Sequence, residues 1–393
     1  MTETETKSKL QTNAKSRSYI ASEIDKTVLN YKTNLGFNDS NYNYVIEAES
    51  DDKTFLNIVM RTQGKRIFPM EQALTCLCAQ LNQNFSLTIC IHSDSEDKEA
   101  IENVLTLVRS FSKKFQSKIS ILSVIGGKRG VPMNIGIELS NADYVAFLDD
   151  DDLVTSEWVG TFHDLAKDNY SSIIRNRCVD RIIEKRDSNA YTPQITKSNW
   201  LVTRSDNFRF IESLERNSSP LHSYAIPIQT IKEYGTYVNA SYDVAEDWDF
   251  LMRNAALTGV INSPLTNSIY NRWDNSDSSL HLHDANTWRD IHNEVIENLT
   301  SNSVMISSIE LKELTNLLST MYHLKDLVVE LKNSNGFGAI KEQLNELDRF
   351  KTYFDILNER PKEVHFGLSI KGDSKNLIKR IFNKVFKKLG VRK

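Results

Sequence analysis

The chain has 393 residues, with 48 Lys and Arg against 52 Asp and Glu, for a formal net charge of −4. Its 40% hydrophobic content includes no run near the length of a membrane span, so a bilayer-crossing chain is excluded and a soluble core is expected. The four cysteines, Cys76, Cys78, Cys90 and Cys178, lack zinc-type spacing and are expected as free thiols.

In chain order, residues 1–53 read as an N-terminal extension. Residues 1–18 are polar and read as disordered, without the apolar core of a signal peptide, which leads to the expectation of a cytoplasmic protein. Tyr19–Tyr31 is a possible short helix, and Glu47–Asp52 an acidic connection. From Phe55, apolar strands alternate with helical periodicity. Phe55–Met60 is a buried strand ending in Arg61-Thr62-Gln63-Gly64-Lys65-Arg66. A helix over Pro69–Gln80 follows, with Met70, Ala73, Leu74, Leu77 and Cys78 on its apolar positions. Leu87–Ile91 is a second strand ending in His92-Ser93-Asp94, Glu99–Lys114 a helix and Ile119–Val124 a third strand. This alternation predicts a parallel, Rossmann-like half.

Tyr144–Leu148 is a short apolar strand that ends abruptly in Asp149-Asp150-Asp151-Asp152. In open α/β sheets, ligands sit outside the carboxyl ends of strands. Four adjacent carboxylates repel unless they are solvated or share a cation, so an acidic turn and a Mg²⁺ or Mn²⁺ site are the alternatives. A buried strand leading straight into them favours the metal. Glu157–Asn169 reads as a helix, Ser172–Arg177 and Asp180–Glu184 as strands, and Tyr191–Ser219 as an irregular, acceptor-facing insertion. Asp243–Leu257 reads as a helix with Glu246 and Asp247 in its first turn, where the dipole favours acids.

Residues 286–332 read as helical, with Leu311, Leu314, Leu318, Met321, Leu324, Val328 and Leu331 forming a stripe that suits a core contact or a homo-oligomer seam. Gly336-Phe337-Gly338 breaks the pattern before another helix to about Asn358. Ser374–Lys393 places Leu377, Ile378, Ile381, Phe382, Val385, Phe386 and Leu389 on one face, ringed by basic residues and no acid. That is the pattern of a helix lying on an anionic membrane, rather than a nucleic-acid arm, although a packing helix has the same periodicity.

Several of these stretches together resemble the family 2 glycosyltransferases. The resembling motifs are Gly127-Lys128-Arg129-Gly130, Asn134-Ile135-Gly136, the Tyr144–Leu148 strand with its aspartates, and, about a hundred residues on, Glu246-Asp247-Trp248-Asp249 with Arg253. The resemblance spans about residues 55–275. It implies a GT-A fold: α/β, a Rossmann-like, mostly parallel mixed sheet flanked by helices, here with a helical C-terminal region. The expected boundaries are 1–53 for the extension, 54–283 for the transferase domain, 284–360 for the helical region and 374–393 for the tail helix.

By resemblance, Asp247 is the general base and Glu246 positions acceptor or donor groups. Thr62, Asp94, Arg129, Asn134, Asp149 and Asp150 bind the nucleotide sugar, and Asp149 and Asp151 hold Mn²⁺ or Mg²⁺. Tyr270-Asn271-Arg272-Trp273 with Asn275–Ser279 resembles a loop that closes over the diphosphate. His222, in the Asn217–Pro227 strand beneath the acceptor site, is a catalytic candidate set against a structural or surface histidine, and His281 and His283 are candidates for a third metal ligand. The implied donor is a nucleotide-diphosphate sugar, a UDP-sugar first, and the acceptor a glycan or lipid-linked hydroxyl at the inner membrane face. No nucleic acid is implied. A nucleotidyltransferase, which leaves Glu246-Asp247 without a role, and an inactive membrane-surface adaptor are the alternatives.

Overall fold

The computed structural model describes residues 35–37, 41–48, 53–184, 200–202, 204–274, 285–300 and 308–333. The expected helix at Tyr19–Tyr31, the Asn275–Ser279 loop, His281, His283, the helix reaching Asn358 and the basic tail lie outside the described residues. The chain divides into two compact units, Met1–Asn302 and Ser303–Lys393.

The first unit is built on the strand–helix alternation. Four strands, β2 (Leu56–Thr62), β3 (Phe85–Ser93), β4 (Ile119–Ile125) and β5 (Tyr144–Phe147), pair in parallel in the order β4-β3-β2-β5. Their apolar residues are buried on both faces, as strands covered by helices require. The sheet continues through β9 (Tyr224–Pro227), antiparallel to β5, to β7 (Ile173–Glu184). There β10 (Val260–Asp274) runs parallel to β7, with β6 (Leu153–Val154) beyond it and β8 (Trp200–Leu201) along β7. The expected α/β fold, a mixed, mostly parallel sheet flanked by helices, is met.

Helices α1 (Ile67–Cys78), α2 (Lys98–Arg109), α4 (Gly130–Glu138) and α5 (Trp158–Asp168) supply the cover, and the short α3 (Lys113–Gln116) sits between α2 and β4. A methyl group on Gly136 of α4 would lie 2.6 Å from Val59, so only glycine lets this helix seat against β2. The single helix expected over Glu99–Lys114 is two, because Ser112 caps a new start through the Phe115 N–H. The two strands expected around Cys178-Val179 are one, since both residues pair continuously with Ser268 and Ile269 of β10.

Tyr42–Ile46, inside the expected extension, is a strand, β1, antiparallel to β4 at the sheet edge. Tyr270–Trp273, expected in a loop, is the end of β10. Helices α6 (Phe210–Glu215), α7 (Ile228–Tyr234), α8 (Glu246–Thr258) and α9 (Ala285–Thr300) complete the unit, with Val295 and Leu299 of α9 buried. The second unit contributes α10 (Ser308–Asn333), where Leu317 and Leu324 are exposed. Among the described residues, no helix is long and apolar enough to cross a membrane, and all four cysteines are free.

Candidate active site

The carboxyl ends of β2 and β5 lie side by side, which sets Arg61 and Thr62 against the four aspartates. Arg61 donates through Nη2 to both oxygens of Asp149 at 3.1 Å each, and through Nη1 to Oε1 of Glu246 at 3.3 Å. Arg129 places its Nε 3.5 Å from the same Glu246 oxygen. The two acidic motifs therefore meet on one guanidinium. Arg66, at the start of α1, bridges Asp150 and Asp151.

Each aspartate has a distinct environment. Thr62 donates its hydroxyl to Asp150 Oδ2 at 2.6 Å, and the Gly64 N–H donates to that hydroxyl from a left-handed turn with φ +68°. Asp152 is anchored from the far strand: the Asn271 N–H reaches Oδ1 at 2.8 Å and His222 Nδ1 lies 3.1 Å from Oδ2. Burial alone would raise the Asp149 carboxyl, but Arg61, then Arg129 and Arg66, hold it below the ordinary range. Asp151 is pushed up to about 7, first by burial and then by Asp152, Asp150 and Asp149, with Arg66 opposing.

Helix α8 begins at Glu246 after Ala245, a non-glycine residue held at φ +59°. This turn presents the Asp247 carboxylate. The Trp248 N–H donates to Oδ1 at 2.8 Å and the Asn217 amide to Oδ2 at 3.1 Å, while the Tyr224 hydroxyl holds the Asp247 carbonyl at 3.1 Å. Burial, and then Glu246, push the Asp247 carboxyl up to about 6.

The residues expected at the site fall into two groups. Asp149, Asp150, Asp151, Arg129, Glu246 and Asp247 are brought together, and Asp94 is exposed at the end of β3. Thr62 is 3% exposed and Asn134 is fully buried. Thr62 serves Asp150, and Asn134 clamps Val238 through both its amide groups and reaches the Leu35 carbonyl, so neither offers a free polar atom to a ligand. His222 is 1% exposed and paired with Asp152, which makes it an anchor of the acidic turn. The sequence motifs do not point to Arg61, Arg66 or Asn217 as partners of these acids, nor to the anchoring of Asp152 by Asn271. The available signal was a pair of arginines at one strand end opposite four aspartates at the next.

The donor set fits a divalent ion. Six neighbouring carboxyl groups, Asp149–Asp152, Glu246 and Asp247, outnumber the Arg61, Arg66, Arg129 and His222 cations that face them, with burial and crowding pushing Asp151 up to about 7 and Asp247 up to about 6. Their hard oxygens suit Mg²⁺ or Mn²⁺. Among the described residues no three acidic, His or Cys side chains are already gathered as ligands. The Arg66 guanidinium stands between Asp150 and Asp151 on a side chain 38% exposed.

Comparison with known proteins bears on this arrangement. Residues 70–221 match the family model of glycosyl transferase family 2. The match takes in the motifs from Gly127 to Asp152 and agrees with the resemblance read from them, while Glu246–Arg253 lies beyond it. A curated Bacillus spizizenii protein named poly(ribitol-phosphate) beta-glucosyltransferase is 28% identical over 103 residues, covering 25% of this chain and 16% of that protein. S. aureus TarS residues 1–349 with UDP-GlcNAc align at 14% identity and TM-score 0.45, over 62% of this chain and 65% of that one. The mannosyltransferase PcManGT from Pyrobaculum calidifontis, with GDP-Man and Mn²⁺, aligns at 9% identity and TM-score 0.45, over 81% and 84%. The chain thus spans about a sixth of the curated relative and under two thirds of the TarS fragment.

Proposed function

We propose that the chain is an inverting glycosyltransferase, dependent on Mn²⁺ or Mg²⁺. It moves a sugar from a nucleoside-diphosphate sugar, a UDP-sugar first, to a hydroxyl of a glycan or lipid-linked acceptor at the cytoplasmic membrane face. The observation that carries this reading is the meeting of Asp149 and Glu246 on Arg61, which joins the acidic strand end to the start of the Glu246-Asp247 helix.

In this reading Asp247 accepts the proton of the acceptor hydroxyl as its oxygen bonds to the anomeric carbon. The bond from that carbon to the diphosphate breaks, and its electron pair leaves with the diphosphate. One displacement of this kind inverts the anomeric centre. A carboxyl near 6 is well matched to such a base at neutral pH, and its two oxygens are fixed by Asn217 and the Trp248 N–H. Glu246 is turned to Arg61 and Arg129, where it sets the positions of both guanidiniums. Asp151 and Asp149 would hold the divalent ion, which when bound supplies charge neutralisation to the leaving diphosphate. Asp94, at the end of β3, would accept from the base, and Arg129 would face the diphosphate.

The test is Asp247→Asn. Donor binding should persist while transfer falls by roughly 10²- to 10⁴-fold, the range of general-base catalysis. Retained transfer would remove Asp247 from the role. The membrane assignment rests on the tail, and anionic liposomes should retain the full chain but not one ending at Asp373.

A further inference from the structure

Across β7 and β10, Asp180 pairs with Tyr270 in the ladder and is 2% exposed. Two arginines share its carboxylate: Arg204 donates Nε to Oδ1 at 2.5 Å, and Arg272 places Nη1 3.6 Å from Oδ2. Two guanidiniums on one carboxylate leave a surplus positive charge, and the Arg272 side chain is 44% exposed. The Arg204 guanidinium lies 4.8 Å over the Tyr270 ring, which stacks on His222 at 6.2 Å. Since His222 holds Asp152, a continuous run of contacts joins the arginines to the acidic turn.

We propose that Arg204 and Arg272 form an anion-binding site for the acceptor. In this proposal, which rests on the glycosyltransferase reading, the acceptor carries a phosphate or carboxylate near the hydroxyl that receives the sugar. Three observations place the pair on the acceptor side. The 204–219 segment bearing Arg204 also bears Asn217, which holds the candidate base Asp247. Arg175 ties that segment together, donating to Ser219 Oγ and to the Ser205 and Asp206 carbonyls. The strand order also sets β7 and β10 across β5 from β2 and β3, whose ends carry Arg61 and Asp94.

Electrostatics gives the pair a purpose. An anionic acceptor approaching six carboxylates is repelled, and a cationic rim beside them offsets that repulsion. Guanidinium forks match both phosphate and carboxylate oxygens, which the Asp180 contacts leave partly unfilled on each arginine.

The experiment measures calorimetric binding to the full chain of three probes of equal length: a glycerol phosphate oligomer, a galacturonate oligomer and a neutral maltooligosaccharide. The proteins are wild type, Arg272→Gln, and Arg204→Gln combined with Asp180→Asn. Arg272→Gln leaves Asp180 its closer partner, and the paired change removes both charges of a buried contact together, so neither strands a buried charge. Nucleotide binding is followed in the same proteins.

The expected result is that wild type binds an anionic oligomer in preference to the neutral one, and that Arg272→Gln, which removes the surplus charge, loses at least tenfold of that affinity, while the paired variant, which keeps the surplus on the exposed Arg272, retains most of it; nucleotide binding is unchanged in both. Whichever anionic probe binds identifies phosphate or carboxylate. A merely structural role for the arginines would leave oligomer binding intact in Arg272→Gln, and that result overturns the proposal. So does equal binding of the neutral probe, absence of any oligomer binding, or an equal loss of nucleotide binding, which would give the arginines to the donor diphosphate. A wild type that binds anionic oligomers but no nucleotide overturns the transferase reading alone.

Discussion

His222 Nδ1 lies 3.1 Å from Asp152 Oδ2, with both side chains buried. Burial alone would push the imidazole down, but the Asp152 charge and hydrogen bond, with Cys178 adding, push it up to about 10. A histidine whose folded value exceeds its unfolded value of about 6.5 contributes stability in full below that pH and loses it as pH rises through the folded value. The melting-temperature gap between wild type and His222→Gln should therefore be widest near pH 6 and narrow toward pH 10. Removing one partner of a buried pair costs about 3–5 kcal/mol. A gap independent of pH would mean that His222 is held neutral.

Asp247 must be ionised to accept a proton, so the transfer rate should rise with pH through about 6, the value set by burial and Glu246. Asn217→Ala removes the amide that donates to Oδ2. A carboxylate that loses a donor to its charged form titrates higher, so the acid limb of the kcat/KM profile should move to higher pH. The rate should fall roughly tenfold, the value of about one hydrogen bond to a charged group. An unmoved acid limb would assign it to another group.

Arg66 is paired with Asp151, so in the proposed reading it would compete with a divalent ion there. Arg66→Ala should tighten Mn²⁺ binding, read by electron paramagnetic resonance without nucleotide. The expected gain is roughly threefold to fivefold, the size of a partly exposed ion pair. Weaker Mn²⁺ binding in Arg66→Ala would mean that the guanidinium shapes the site rather than competing for it.

Much of the first unit was legible because apolar runs such as Tyr144–Leu148 and the spacing of Met70, Ala73, Leu74 and Leu77 carry their period locally. Edge strand Tyr42–Ile46 was not, since its residues are half-buried or exposed and give no apolar run. The break at Ser112 depended on one capping hydroxyl within an otherwise helical pattern. In the site, the motif acids were visible as motifs, but their partners were not. Arg61 and Arg66 meet aspartates 88 and 85 residues away, and that juxtaposition belongs to the pairing of β2 with β5. Asn134 illustrates the converse: a motif residue expected at the donor is consumed in holding Val238 and Leu35.

The central claim is a nucleotide-sugar site completed by a divalent ion at Asp149 and Asp151. A ligand that binds only the native state raises its melting temperature by mass action. The most direct measurement is a thermal-shift titration with UDP-, GDP- and dTDP-sugars, each with and without Mn²⁺, on wild type and Asp151→Ala. The account predicts a Mn²⁺-dependent rise with one nucleotide in wild type and its loss in Asp151→Ala. No rise with any nucleotide, with or without Mn²⁺, would contradict it.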